Sequence, residues 1–174
     1  ICTRPCAGDV NGDGHLDIVS GNFEGTFFLF EGEGAGAFKP EPTQLEADGK
    51  PMKVGMHSDP FFIDWDGDGD QDMLSGSAQG GVEMFENVGT KTAPAFGKAV
   101  RLVAMHMPKM EVGAMMPPTM FGDEHIDGPQ GSTRVWAADV NGDGKLDLLV
   151  GDSVTINTPA DGLDEAEAQK QIKA

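Results

Sequence analysis

Residues Asp9 to Asp17 read DVNGDGHLD, and the same nine-residue pattern returns as DWDGDGDQD at Asp64 to Asp72 and as DVNGDGKLD at Asp139 to Asp147. Each copy places carboxylate or amide oxygens at positions 1, 3 and 5, glycines at 4 and 6, and an Asp at 9. A hard cation that takes six to eight oxygen ligands asks for such a set, and calcium is the natural candidate. A helix–loop–helix calcium loop would end on a bidentate Glu at position 12. That position holds Ser20, Ser75 and Val150. Instead an apolar run follows the ninth residue at once (Ile18-Val19, Met73-Leu74, Leu148 to Val150) and reaches a glycine at Gly21, Gly76 or Gly151. The loop therefore feeds a strand.

Side-chain ligands are expected from Asp9, Asn11, Asp13 and Asp17, from Asp64, Asp66, Asp68 and Asp72, and from Asp139, Asn141, Asp143 and Asp147. Position 7 varies among His15, Asp70 and Lys145, as expected if only its carbonyl oxygen is used. The paired glycines permit the positive φ angles of a turn wrapped around an ion. Three solvated Asp/Asn/Gly turns without metal are the alternative, which three copies in register disfavour. Three calcium ions are expected.

The chain has 174 residues, enough for a real core, and 25 Gly and 11 Pro without any Tyr point to short elements joined by turns. Its formal charge of −17 argues against nucleic acid and anionic membranes as partners. Eleven of the 29 acidic residues lie within the three loops, so much of this charge has a local explanation. No apolar run is long enough to span a bilayer. The chain opens at Ile1, which implies a removed leader or a piece of a longer protein. Weak calcium modules work where the ion is abundant, so a secreted, periplasmic or cell-surface location is expected.

Each repeat divides in the same way. An entry strand (Arg4 to Gly8, Pro60 to Ile63, Arg134 to Ala138) leads into the loop, and an exit strand (Leu16 to Ser20, Met73 to Ser75, Leu146 to Val150) leaves it. A Gly-rich turn and a third strand follow at Thr26 to Phe30 and Val82 to Phe85, with an outer strand near Thr43 to Ala47 and Ala99 to Ala104. Small four-stranded sheets repeated in this way are the blades of a β-propeller. The expected fold is all-β: a partial propeller of four-stranded antiparallel blades across residues 1–151, then an irregular segment and a short exposed helix across 152–174. The second loop interval is longer than the first, and the excess falls in an insertion at about 105–132. Three units are too few to close a ring, so a longer chain or further copies of this one would complete it.

Aligned ahead of the loops, TRPCAGD, SDPFFID and TRVWAAD put Cys6 in register with Phe61 and Trp136. A buried hydrophobic role for Cys6 and Trp136 is preferred, and a Cys2–Cys6 disulfide is the alternative. Trp65, inside the loop, is the better candidate for exposure. In the insertion, Met105, His106, Met107, Met110, Met115, Met116, Met120 and His125 could serve copper(I), against a simpler packing role. His57 reads as a turn or interface residue.

The pattern D-x-[DN]-x-D-G-x-x-D, an apolar strand ending in Gly, and then Gly80 to Gly89 (GGVEMFENVG) together resemble the FG-GAP or VCBS-type repeat of calcium-binding β-propellers, a group that includes the integrin α-subunit head. The resemblance covers roughly Thr3 to Gly151. It implies calcium at loop positions 1, 3, 5, 7 and 9, and a structural or adhesive module that meets a protein partner. The alternatives are a carbohydrate-binding, lectin-like propeller or the non-catalytic part of a polysaccharide-active enzyme. No nucleophile–base arrangement stands out, so no catalytic residue and no enzyme activity are expected.

Overall fold

The computed structural model describes residues 4–105, 122, 126, 128–160 and 162–172. Strands run in the order β1 (Arg4–Gly8), β2 (Asp17–Gly21), β3 (Phe27–Phe30), β4 (Gly32–Gly34), β5 (Ala37–Phe38), β6 (Thr43–Gln44), β7 (Glu46–Ala47), β8 (Lys50–Pro51), β9 (Asp59–Ile63), β10 (Asp72–Gly76), β11 (Val82–Phe85), β12 (Val100–Val103), β13 (Arg134–Ala138) and β14 (Asp147–Gly151). A helix, α1 (Glu165–Ile172), follows. Two antiparallel sheets of four strands, β1-β2-β3-β6 and β9-β10-β11-β12, are followed by the pair β13-β14. The chain is thus an all-β partial propeller with two complete blades and a third of two strands.

The expected fourth strand at Thr43 to Ala47 is interrupted. Phe28 and Leu29 pair with Gln44 and Thr43, but Glu46 and Ala47 turn away to pair with Pro51 and Lys50. Asp48 and Gly49 cause the departure: both have positive φ (51° and 69°), the geometry of a tight two-residue hairpin. The helix lies within the expected segment, at Glu165–Ile172. Asp164 is its N-cap, accepting the Glu167 amide at 2.8 Å.

Blades stack because each strand presents alternate residues to opposite faces. Val19, Phe27 and Leu29 of the first blade meet Phe62, Met73 and Phe85 of the second in one buried cluster, with Cys6 packed against it. The opposite face of the second blade (Leu74, Val82, Met84, with Phe61 beside them) meets Val135 and Ala137 of the third. Trp136 therefore does not occupy a core position. It lies on the far face of the third blade, 54 % exposed, with Leu149 across the pair from it. Cys6 and Phe61 are covered in that register because another blade follows them. The two tryptophans exchange roles, since Trp65 packs against the second cluster.

A hydroxyl lock repeats at each junction. Ser58, fully buried, donates from Oγ to the Thr26 carbonyl (2.9 Å) and accepts the Asn22 amide (2.9 Å). Thr133, one repeat later and also fully buried, donates to the Gly81 carbonyl (2.7 Å) and accepts the Ser77 amide (2.9 Å). The incoming backbone comes so close that a methyl group on Gly21 would sit 2.1 Å from the Ser58 carbonyl oxygen, and one on Gly76 would sit 2.1 Å from that of Thr133. Glycine at the end of the exit strand is thus a docking requirement. Gly151, at the same place in the third unit, has open space around it.

Of the insertion's methionines and histidines, Met105 alone is described; His106, Met107, Met110, Met115, Met116, Met120 and His125 lie outside the described residues, as does Cys2. Among the described residues Cys6 has no disulfide partner. His57 has a left-handed backbone (φ 57°), and its ring centroid lies 4.8 Å from that of Phe23.

Candidate metal centre

All three loops fold by the same internal hydrogen bonds, which follow from placing a short acid at the first position. Asp9 accepts the amides of Asp13 and Gly14, each at 3.0 Å. Asp64 accepts those of Gly67 (2.7 Å) and Gly69 (3.0 Å). Asp139 accepts those of Gly142, Asp143 and Gly144 at 2.7, 3.1 and 2.9 Å. The third position serves the fifth: Asn11, Asp66 and Asn141 accept the amides of Asp13, Asp68 and Asp143. The fifth serves the seventh, with Asp13, Asp68 and Asp143 accepting the amides of His15, Asp70 and Lys145. Both glycines of each loop have positive φ, from 69° to 95°. The backbone of each loop is thus wound into a tight turn by its own acidic and amide side chains.

The ninth residue has a structural duty that spacing alone did not reveal. Asp72 is almost fully buried, and its two oxygens accept the Trp65 amide (2.9 Å) and the Asn87 amide (2.8 Å). Asp17 does the same for Val10 (3.0 Å) and Gly32 (2.8 Å). One carboxylate thereby ties the loop's second residue to the chain just past the third strand. The signal lay in the repeated Phe-Glu-Gly and Phe-Glu-Asn at Phe30 to Gly32 and Phe85 to Asn87. Asp147 keeps the first bond, to Val140 at 3.0 Å, while its other oxygen meets the Asn141 side chain at 3.5 Å.

In the middle loop a carboxylate oxygen from each of Asp64, Asp66 and Asp72 lies within 4.8 Å of the other two. Asp70 adds a fourth charge in the same blade. The residue is 6 % exposed, and its carboxylate faces the side-chain amide of Asn87. Burial, then the charges of Asp68, Asp72 and Asp66, push the Asp70 carboxyl above the usual range. Burial also raises Asp72, against the two amides that hold it. In the first loop Asp13 is shifted downward instead, chiefly by the amide of His15. There and in the third loop the third position is Asn, so the equivalent trio offers two carboxylates and one amide.

An all-oxygen donor set and the convergent carboxylates of Asp64, Asp66 and Asp72 fit a divalent hard cation. Residues 9–75 match the family model of the FG-GAP-like repeat. Over those residues the chain is an FG-GAP-type repeat. The match runs from the first residue of the first loop into β10, and so takes in three of the first blade's four strands (β2, β3 and β6), then β9 and the second loop. Neither the curated proteins nor the solved structures give a match. A propeller-type module of this repeat class is a protein-interaction module. Among the described residues, no helix is long and apolar enough to cross a membrane.

Proposed function

We propose that this FG-GAP repeat protein is a calcium-stabilised, extracellular structural or adhesive module that presents a rigid surface to a protein partner and carries out no catalysis. The observation that supports this most directly is the convergence of the Asp64, Asp66 and Asp72 carboxylates in a loop whose hydrogen-bonding pattern recurs twice more. Loop positions 1, 3, 5 and 9, with the carbonyl of position 7, would hold the ion in each copy. Bound there, calcium supplies charge neutralisation to carboxylates that otherwise repel one another.

Charge count ranks the three sites. Asp66 gives the middle loop four ligand carboxylates, and Asp70 adds a buried negative charge. The first and third loops have three each, with His15 and Lys145 at position 7. Affinity should fall from the middle loop to the first to the third. Calcium titration followed through the backbone resonances of Gly14, Gly69 and Gly144 tests this order. Saturation of Gly144 before Gly69 would reject it, and no response at any of the three would reject calcium binding itself.

A further inference from the structure

The second residue of each aligned heptad (Arg4, Asp59, Arg134) opens the entry strand of its blade, and the three gather at one end of the stack. Arg4 pairs with Asp59 at 3.5 Å, and Arg134 lies within the field of the same carboxylate. Two of the chain's three arginines therefore face a single aspartate. They line a cavity of about 390 Å³ together with Ser132, Asp152 and Ser153. Asp152 is engaged by the Gln130 amide at 2.8 Å. Arg134 makes no ion pair within 4.0 Å among the described residues.

We propose that this cavity is a carboxylate-binding site that receives the Asp or Glu side chain of a protein partner. Planar guanidinium groups present paired N–H donors that match a carboxylate, and Arg134 has that fork free. A singly charged group suits the local tally, because two arginines are already countered in part by Asp59 and Asp152. A phosphate or a polyanionic chain would bring more charge than the cavity offsets, against the field of a molecule whose net charge is −17. The inference deepens the protein-interaction reading above and rests on it. It does not rest on calcium: five residues of extended strand separate Arg134 from Asp139, about 16 Å at the usual rise.

The chain has only three arginines, so their side-chain Nε–Hε resonances can be followed individually. The probe is acetyl-glutamate amide in calcium-containing buffer, with acetyl-glutamine amide and inorganic phosphate as comparisons. The glutamate probe should shift Arg4 and Arg134 saturably and leave Arg101, which is paired with Glu83, and Gly69 unmoved; the glutamine probe should shift none. Arg134→Gln, at an exposed position, should weaken binding about tenfold or more. Asp59→Asn should strengthen it, which a merely structural pairing would not do. Should Arg134→Gln lose the native spectrum, Arg134→Lys, which keeps the charge but not the fork, should still bind more weakly than the parent. Absence of a saturable shift, an equal response to acetyl-glutamine amide, tighter binding of phosphate, or undiminished binding by the Arg134 variants would overturn the proposal. A silent calcium titration beside an intact glutamate response would reject the calcium reading and leave this one standing.

Discussion

At the scale of single residues, the loop aspartates divide into two kinds that the sequence pattern treats alike. Asp68 is exposed and receives one local amide, whereas Asp72 is buried and holds Trp65 and Asn87. Removing Asp72 leaves two N–H groups without partners, at about 1–3 kcal/mol each where the group is buried. Urea unfolding in chelator should therefore show Asp72→Ala destabilised by about 2 kcal/mol or more and Asp68→Ala by less than about 0.5 kcal/mol. Equal losses in chelator would contradict the division. Cys6 offers a second residue-level check. Burial, reinforced by the charge of Asp59, pushes its thiol above the ordinary value, while the Phe62 backbone opposes the shift. The thiolate is the reactive form, so in a Cys2→Ser background alkylation near pH 8 should run slower than for free cysteine and recover as pH rises. A rate equal to that of free cysteine would show the thiol to be exposed.

At the scale of the element, most of each blade was legible because apolar alternation and glycine punctuation report strand faces and turns directly. The entry strands Arg4–Gly8 and Arg134–Ala138 and the third strand Val82–Phe85 coincide with their expected spans. What was not legible depends on a neighbour. The hydroxyls of Ser58 and Thr133 stood in the aligned heptads without showing that they close a junction, and Trp136 matched Cys6 and Phe61 without showing that it is exposed among the described residues. The break at Leu45 came from the Asp48-Gly49 turn overriding an otherwise continuous outer strand. Repeats that contact mainly their neighbours should respond locally. Asp13→Ala should reduce hydrogen-exchange protection in the first blade and leave β13 and β14 unchanged. Thr133→Val should loosen the second junction, by about 1–3 kcal/mol for the buried backbone groups it leaves unpaired, without affecting the first. Uniform loss of protection across all three units would contradict a modular stack.

At the scale of the whole molecule, two buried clusters between three sheets supply the apolar contacts, and the acidic loops oppose them by mutual repulsion. The loop pattern was visible in the sequence because ligand chemistry fixes residue type at fixed spacing. The cavity beside Arg4 and Arg134 was not, because its lining comes from the first and third units, far apart in the chain. The central claim is that folding and calcium are linked, chiefly through the middle loop, where Asp64, Asp66 and Asp72 converge and a divalent ion would relieve their repulsion. An ion present at a hundredfold excess over its Kd adds about 2.7 kcal/mol per site. The most direct test is the thermal unfolding midpoint in calcium against the same protein in chelator: a clear rise with calcium is predicted, and identical midpoints would contradict the account.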